Sequence, residues 1–174
     1  MTKLEIIDDL KLKHQLLYEW LYKHPDQNWI KGPQNKWNTG EHIIHLIQSE
    51  QAVNRALWLP KFFLKYKFGV NNRANRTYDE MVKKYHDKLV IHASIVANMS
   101  KKMPITTLAN KTSYITKLDK EKKKLIEKFR KWTEHDLDTY LLPHPLMGKM
   151  TIREVVMWTA HHTEQHYQIL TSKY

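Results

Sequence analysis

Two histidines near the end of the chain, His162 and His166, are spaced like side chains that share one face of a helix. On a wheel of about 100° per residue, Val155, Thr159 and Ile169 lie within about 60° of His162. The shared face is therefore largely apolar, and burying an imidazole there is costly unless each ring nitrogen has a partner. Either a divalent metal ion or hydrogen bonds from neighbouring core groups can supply those partners.

His45 belongs to an earlier segment with helical periodicity, on the side that also carries Ser49, Ala52 and Val53. Small side chains on that side leave room beside the ring, so we expect His45 to face the core. One such histidine is more often a hydrogen-bonded core residue than a ligand. Three inward histidines on two helices favour a metal site, because neutral imidazole is the commonest metal ligand in proteins.

A metal held by His45, His162 and His166 would keep a coordination position open, which is typical of catalytic rather than structural sites. Such an ion lowers the pKa of the group bound there or polarises it. An all-histidine ligand set suits zinc, nickel, copper or ferrous iron.

Three further residues are candidates for the surroundings of this site. Glu50 is predicted to be partly buried, either orienting a ligand histidine or reaching solvent. His42, one turn before His45, is a possible substitute ligand that we expect to be more exposed. His144, between two prolines, is either a pocket residue or part of a rigid turn.

Periodicity and helix-start signals predict the elements that position these residues. Capping boxes are predicted at Asn38, Thr77 and Thr151, each with a glutamate three residues later. Pro60 is expected to kink or end the second long helix. The predicted long helices span 2–23, 38–57, about 112–132 and 152–171, with a shorter helix from 77 to about 89, a loop at 98–112 and a connection at 141–149.

This order predicts an all-α protein with a single domain, residues 1–174. The expected architecture is a four-helix bundle, with a long crossover between the second and third main helices that carries a short extra helix.

The composition narrows the possible functions. The chain has 174 residues and no cysteine, which excludes disulfides and a thiol nucleophile of its own. The net charge of +11 favours anionic partners, but the lysine runs are interpreted as solvated helix faces and nucleic acid is not an expected partner. No targeting signal or membrane span is recognised, so a cytoplasmic location is expected.

Two segments, WNTGEHIIHLIQSE (37–50) and PHPLMGKMTIREVVMWTAHHTEQHYQIL (143–170), resemble the DinB-like superfamily of bacterial four-helix-bundle proteins. That superfamily includes metal-dependent enzymes of the bacillithiol S-transferase type. The stretch TYDEMVKKYHDKL (77–89) resembles an insert found in one of its branches.

The resemblance implies a divalent metal bound by one histidine of the second helix and two of the last, here His45, His162 and His166. It also implies a homodimer that acts on a small molecule. The expected activity is transfer of a low-molecular-weight thiol to an electrophile, with zinc or nickel as the first choices of metal and iron as another. Metal-dependent hydrolysis and a non-catalytic, stress-related metal-binding role are the alternatives.

Overall fold

Four long helices form the body of the protein in the computed structural model, which describes residues 1–34, 36–93 and 103–174. They are α1 (Lys3–Lys23), α3 (Thr39–Ala56), α6 (Lys111–Arg130) and α8 (Ile152–Lys173). The remaining helices are shorter: α2 (Gln27–Ile30), α4 (Lys61–Phe68), α5 (Tyr78–Ile91) and α7 (Glu134–Thr139). The prediction of an all-α bundle is confirmed.

Capping boxes begin the helices that the sequence signals indicated. The side chains of Asn38, Thr77 and Thr151 accept hydrogen bonds from the backbone three residues on, and the glutamates there bond back. Thr2 begins α1 in the same way, which the sequence analysis did not identify. These bonds satisfy backbone N–H groups that have no partner within the first helical turn.

The bundle is built from two extensive helix pairs, α1 with α8 and α3 with α6. Smaller contacts of α3 with α8 and of α1 with α6 join the pairs. One part of the core includes Leu10, Phe129 and Met157, and a second part near the other end includes Leu17, Ile43 and Leu118. Packing of α3 against α8 brings together the two helices that carry the candidate ligands.

The chain between α3 and α6 contains more helix than expected. Helix α3 ends before Pro60, and Pro60 then precedes a separate helix, α4, which the sequence analysis did not predict. The predicted insert is present as α5. The predicted loop at 98–112 was wrong at its end, because Leu108–Asn110 forms a 3₁₀ turn and α6 begins at Lys111; residues 98–102 of it lie outside the described residues.

A two-stranded hairpin precedes α8 where only a connection was expected. Strand β1 (Leu141–His144) pairs antiparallel with β2 (Gly148–Thr151). Gly148 has a φ of 73° at the turn, a conformation that favours glycine. The hairpin leads directly into the capping box of α8 and so sets where that helix begins.

The first half of α8 is enclosed on all sides rather than on one face, since every residue from Ile152 to Thr163 is buried. The buried Glu154 carboxylate accepts two hydrogen bonds from the Arg73 guanidinium, at 2.7 and 2.8 Å, and two from Arg76, one from its backbone N–H and one from its guanidinium. Burial raises the pKa of Glu154, but these hydrogen bonds outweigh it and hold the pKa below its usual value. The ion pairs fasten the crossover to the start of α8.

Among the parts of the chain that the structure describes, no helix combines the length and the apolar character needed to cross a membrane.

Candidate metal centre

The three predicted histidines meet between α3 and α8. The Nε2 atom of His162 lies 3.2 Å from Nε2 of His45 and 3.1 Å from Nε2 of His166. Of the residues described, these three form the group of potential ligand atoms that lie within 4.8 Å of one another. Helix α8 supplies two of them because i and i+4 side chains lie one above the other, and α3 supplies the third from across the interface.

These separations fit nitrogen atoms that bind one shared metal ion. Two nitrogens bound at about 2.0–2.1 Å to a tetrahedral metal lie about 3.3 Å apart. The two measured separations are close to that value, whereas unrelated core imidazoles have no reason to direct their Nε2 atoms at one point. The other nitrogen of the His162 ring, Nδ1, is buried and has no hydrogen-bond partner among the described residues.

The electrostatics keep the three imidazoles neutral, which is the form that binds metal. Burial lowers the pKa of His45 to about 4. Burial, together with the charge that neighbouring histidines would carry, holds the pKa values of His162 and His166 well below the usual value. His45 is the most exposed of the three.

His42 is buried, so the expectation that it would be exposed was wrong. Trp37 and Tyr174 cover its ring, with centroids 5.3 and 5.8 Å away. Its Nδ1 lies 2.7 Å from Nδ1 of His166 and thus on the far side of that ring from the three Nε2 atoms. His42 is therefore placed as a hydrogen-bond partner of a candidate ligand rather than as a substitute ligand.

The partners of His42 extend into a chain with one consistent direction. If His166 keeps Nε2 free for a metal, its Nδ1–H donates to His42 Nδ1. His42 Nε2–H then donates to the Tyr174 hydroxyl, 3.4 Å away, and that hydroxyl donates to the Trp37 carbonyl. Histidine ligands typically donate their second nitrogen in this way, which orients the ring and fixes its tautomer.

Glu50 is buried, but its partner is not one of the three histidines. One carboxylate oxygen lies 2.5 Å from His14 Nε2, and His14 Nδ1 donates to the Leu10 carbonyl. Both side chains are almost completely enclosed between α1 and α3. The predicted alternatives for Glu50, orienting a ligand histidine or reaching solvent, were both wrong, because α1 places a basic group beside it.

His144 stabilises the hairpin turn. Its Nδ1 accepts hydrogen bonds from the backbone N–H groups of Leu146 and Met147, both at 3.1 Å. Its ring also packs on Trp158, whose ring in turn stacks on His162 at a centroid distance of 4.6 Å. The rigid-turn interpretation is thereby confirmed, and His144 supports the candidate ligand His162 through Trp158.

Trp37 and Tyr174 also lie at the site, and the sequence analysis did not identify either of them as a site residue. The Trp37 ring lies 5.0 Å from the ring of His45 and 6.1 Å from that of His166. Local periodicity does not relate either residue to the cluster. Trp37 lies just before the start of α3, and Tyr174 lies at the end of α8.

A family model of the DinB superfamily matches residues 10–170. The chain belongs to the DinB superfamily. The resemblance inferred from the two histidine-containing segments is thus confirmed, and the match includes both helices of the cluster. Comparison with curated proteins and with solved structures found no match.

Proposed function

We propose that this DinB-superfamily protein binds one divalent transition-metal ion through His45, His162 and His166 and uses it to transfer a small thiol to an electrophile. The observation that supports the proposal is the convergence of three neutral imidazoles, two buried and His45 half-buried, with Nε2 of His162 within 3.2 Å of Nε2 of both others. The three-histidine set leaves room for a further ligand, as catalytic sites do.

A bound divalent ion would supply Lewis acidity that lowers the pKa of a thiol at the open position. The chain's own residues would hold the ion and orient the ligand rings. His45, His162 and His166 remain neutral as ligands, His42 holds the ring of His166, and the stacked Trp158 holds that of His162. Trp37 packs beside His45, with the two ring centroids 5.0 Å apart.

The absence of cysteine is consistent with a thiol that comes from outside the chain. The sulfur would attack the electrophilic carbon, a new C–S bond would form, and the leaving group would depart with the bonding electrons. The thiol proton passes to solvent. Metal-dependent hydrolysis is the nearest alternative and needs no thiol.

The first test is metal stoichiometry in matched variants of untagged protein. His162→Ala should lose the zinc or nickel that the wild type retains after desalting, while far-ultraviolet circular dichroism shows the helices intact. His135→Ala is the matched control, since this histidine is exposed on a helix and belongs to neither group of candidate ligands. Equal metal content in both variants would contradict the site.

The second test addresses the reaction. Loss of a low-molecular-weight thiol in the presence of an alkylating electrophile should be accelerated by the metal-loaded wild type and not by metal-loaded preparations of His162→Ala. Turnover that needs metal but no thiol would indicate a hydrolase. Metal binding without either activity would favour the non-catalytic role.

A further inference from the structure

A second pair of histidines lies beside the candidate metal centre but outside it. His161 lies in α8 directly before His162. Its ring faces α5, the helix that carries His86. The Nε2 atoms of His86 and His161 are 3.2 Å apart. This separation equals that between His45 and His162 and is again close to the value of about 3.3 Å for two nitrogens on one tetrahedral ion.

The surroundings of His161 leave its Nε2 available as a ligand. Its Nδ1 lies 3.3 Å from the Tyr78 hydroxyl, which accepts a hydrogen bond from Lys13 at 2.7 Å and donates to Glu164 at 3.4 Å. Because the single hydroxyl hydrogen points to Glu164, Nδ1–H of His161 donates to the Tyr78 oxygen. The proton is then on Nδ1, and Nε2 presents a lone pair toward His86.

The nearby positive charge is balanced. Lys13 Nζ lies 2.9 Å from Asp9 and 3.0 Å from Glu164. The two carboxylates offset the ammonium charge on the Nδ1 side of His161, so a cation on the Nε2 side does not face an unpaired lysine. A histidine with one nitrogen donating to a fixed oxygen and the other free has the arrangement typical of metal ligands.

We propose that His86 and His161 form a second, exchangeable site for a divalent transition-metal ion, with Nε2 of both rings as ligands. The chain supplies two ligands, and water or an external ligand completes the coordination. His86 is exposed, so the ion exchanges directly with solvent. The site stands on its own residues and does not require the three-histidine centre.

Zinc titration of the untagged full chain by equilibrium dialysis tests this inference. The wild type should bind about two ions per chain, the weaker of which is lost in His86→Ala. Because His86 is exposed, this variant should keep the wild-type melting temperature. His135→Ala, another exposed histidine on a helix, is the matched control and should still bind both ions.

The two sites can fail separately. Removal of the three-histidine centre by His45→Ala should leave the weaker site, and the combination with His86→Ala should leave none. If the wild type binds no more than one ion, and that ion survives in His86→Ala, the pair merely shares a hydrogen bond and the inference is overturned. Retention of the second ion in His86→Ala would overturn it as well.

Discussion

The metal-free protein should lose stability steeply as the pH falls below about 6.5. Burial keeps six histidines neutral in the folded state. It lowers the pKa of His42 to about 3. It lowers the pKa values of His45, His144 and His161 to about 4. It also holds the pKa values of His162 and His166 well below the usual value. Unfolding exposes all six to water.

The sign follows from proton counts. At pH values between the folded and the unfolded pKa, the unfolded chain binds more protons than the folded chain, so the free energy of unfolding rises with pH. Each histidine contributes about 1.4 kcal/mol per pH unit, and the six together contribute up to about 8 kcal/mol per pH unit. The stabilisation is complete above about pH 6.5. Because the whole stability of a domain is about 5–15 kcal/mol, acid unfolding is expected near pH 5.

Urea unfolding in a chelating buffer at several pH values between 5.5 and 7.5 measures this slope directly. His42→Asn should reduce it by about 1.4 kcal/mol per pH unit, whereas His135→Ala, on the surface, should leave it unchanged. Added zinc should raise stability more at the high end of this range, since protons and metal compete for the same nitrogens. A free energy of unfolding that stays constant across the range would refute the assignment of neutral buried histidines.

Three further results are expected. His42→Ala should weaken zinc binding about 10- to 100-fold in chelator competition. His42→Asn should recover part of the loss because its Oδ1 can accept a hydrogen bond from His166. Equal zinc affinity in the wild type and both variants would show that His42 does not orient the ligand. Arg73→Ala should lower the free energy of unfolding by about 2–3 kcal/mol, since the buried Glu154 loses both Arg73 hydrogen bonds and keeps those from Arg76 and the Thr151 N–H. Arg73→Lys should recover little because lysine cannot bind both oxygens, and full recovery in urea unfolding would argue against the two-oxygen contact. Glu50→Ala should lower the free energy of unfolding by about 3–5 kcal/mol, because it leaves His14 buried without its partner. Changing both His14 and Glu50 to leucine should cost much less stability. If thermal unfolding showed that the losses from the two single changes simply add in the double variant, the pairing would be contradicted.

Much of the fold follows from local signals in the sequence. Capping boxes at Asn38, Thr77 and Thr151 determine helix starts because their hydrogen bonds lie within four residues. The shared face of His162 and His166 follows from helix geometry alone. The sequence also indicated the single α5 insert and the family, since both depend on contiguous segments.

Tertiary packing decided what surrounds the candidate ligands. The wheel placed Glu50 on an inward side and His42 was expected to be exposed, but local periodicity could not show that α1 brings His14 to Glu50 or that Tyr174 covers His42. These partners are separated by 36 and 132 residues along the chain, and local periodicity carries no information about contacts at such distances.

The same limit explains His161. His161 lies about 100° from His162 on a helical wheel, a position that an amphipathic helix would expose. Instead α5 and the crossover enclose that side of α8, and His161 is buried against His86 and Tyr78. The amino-acid sequence by itself determined which side chains share a turn of helix, because backbone geometry sets this locally; only the packing of one helix on another decided which nitrogen atoms meet.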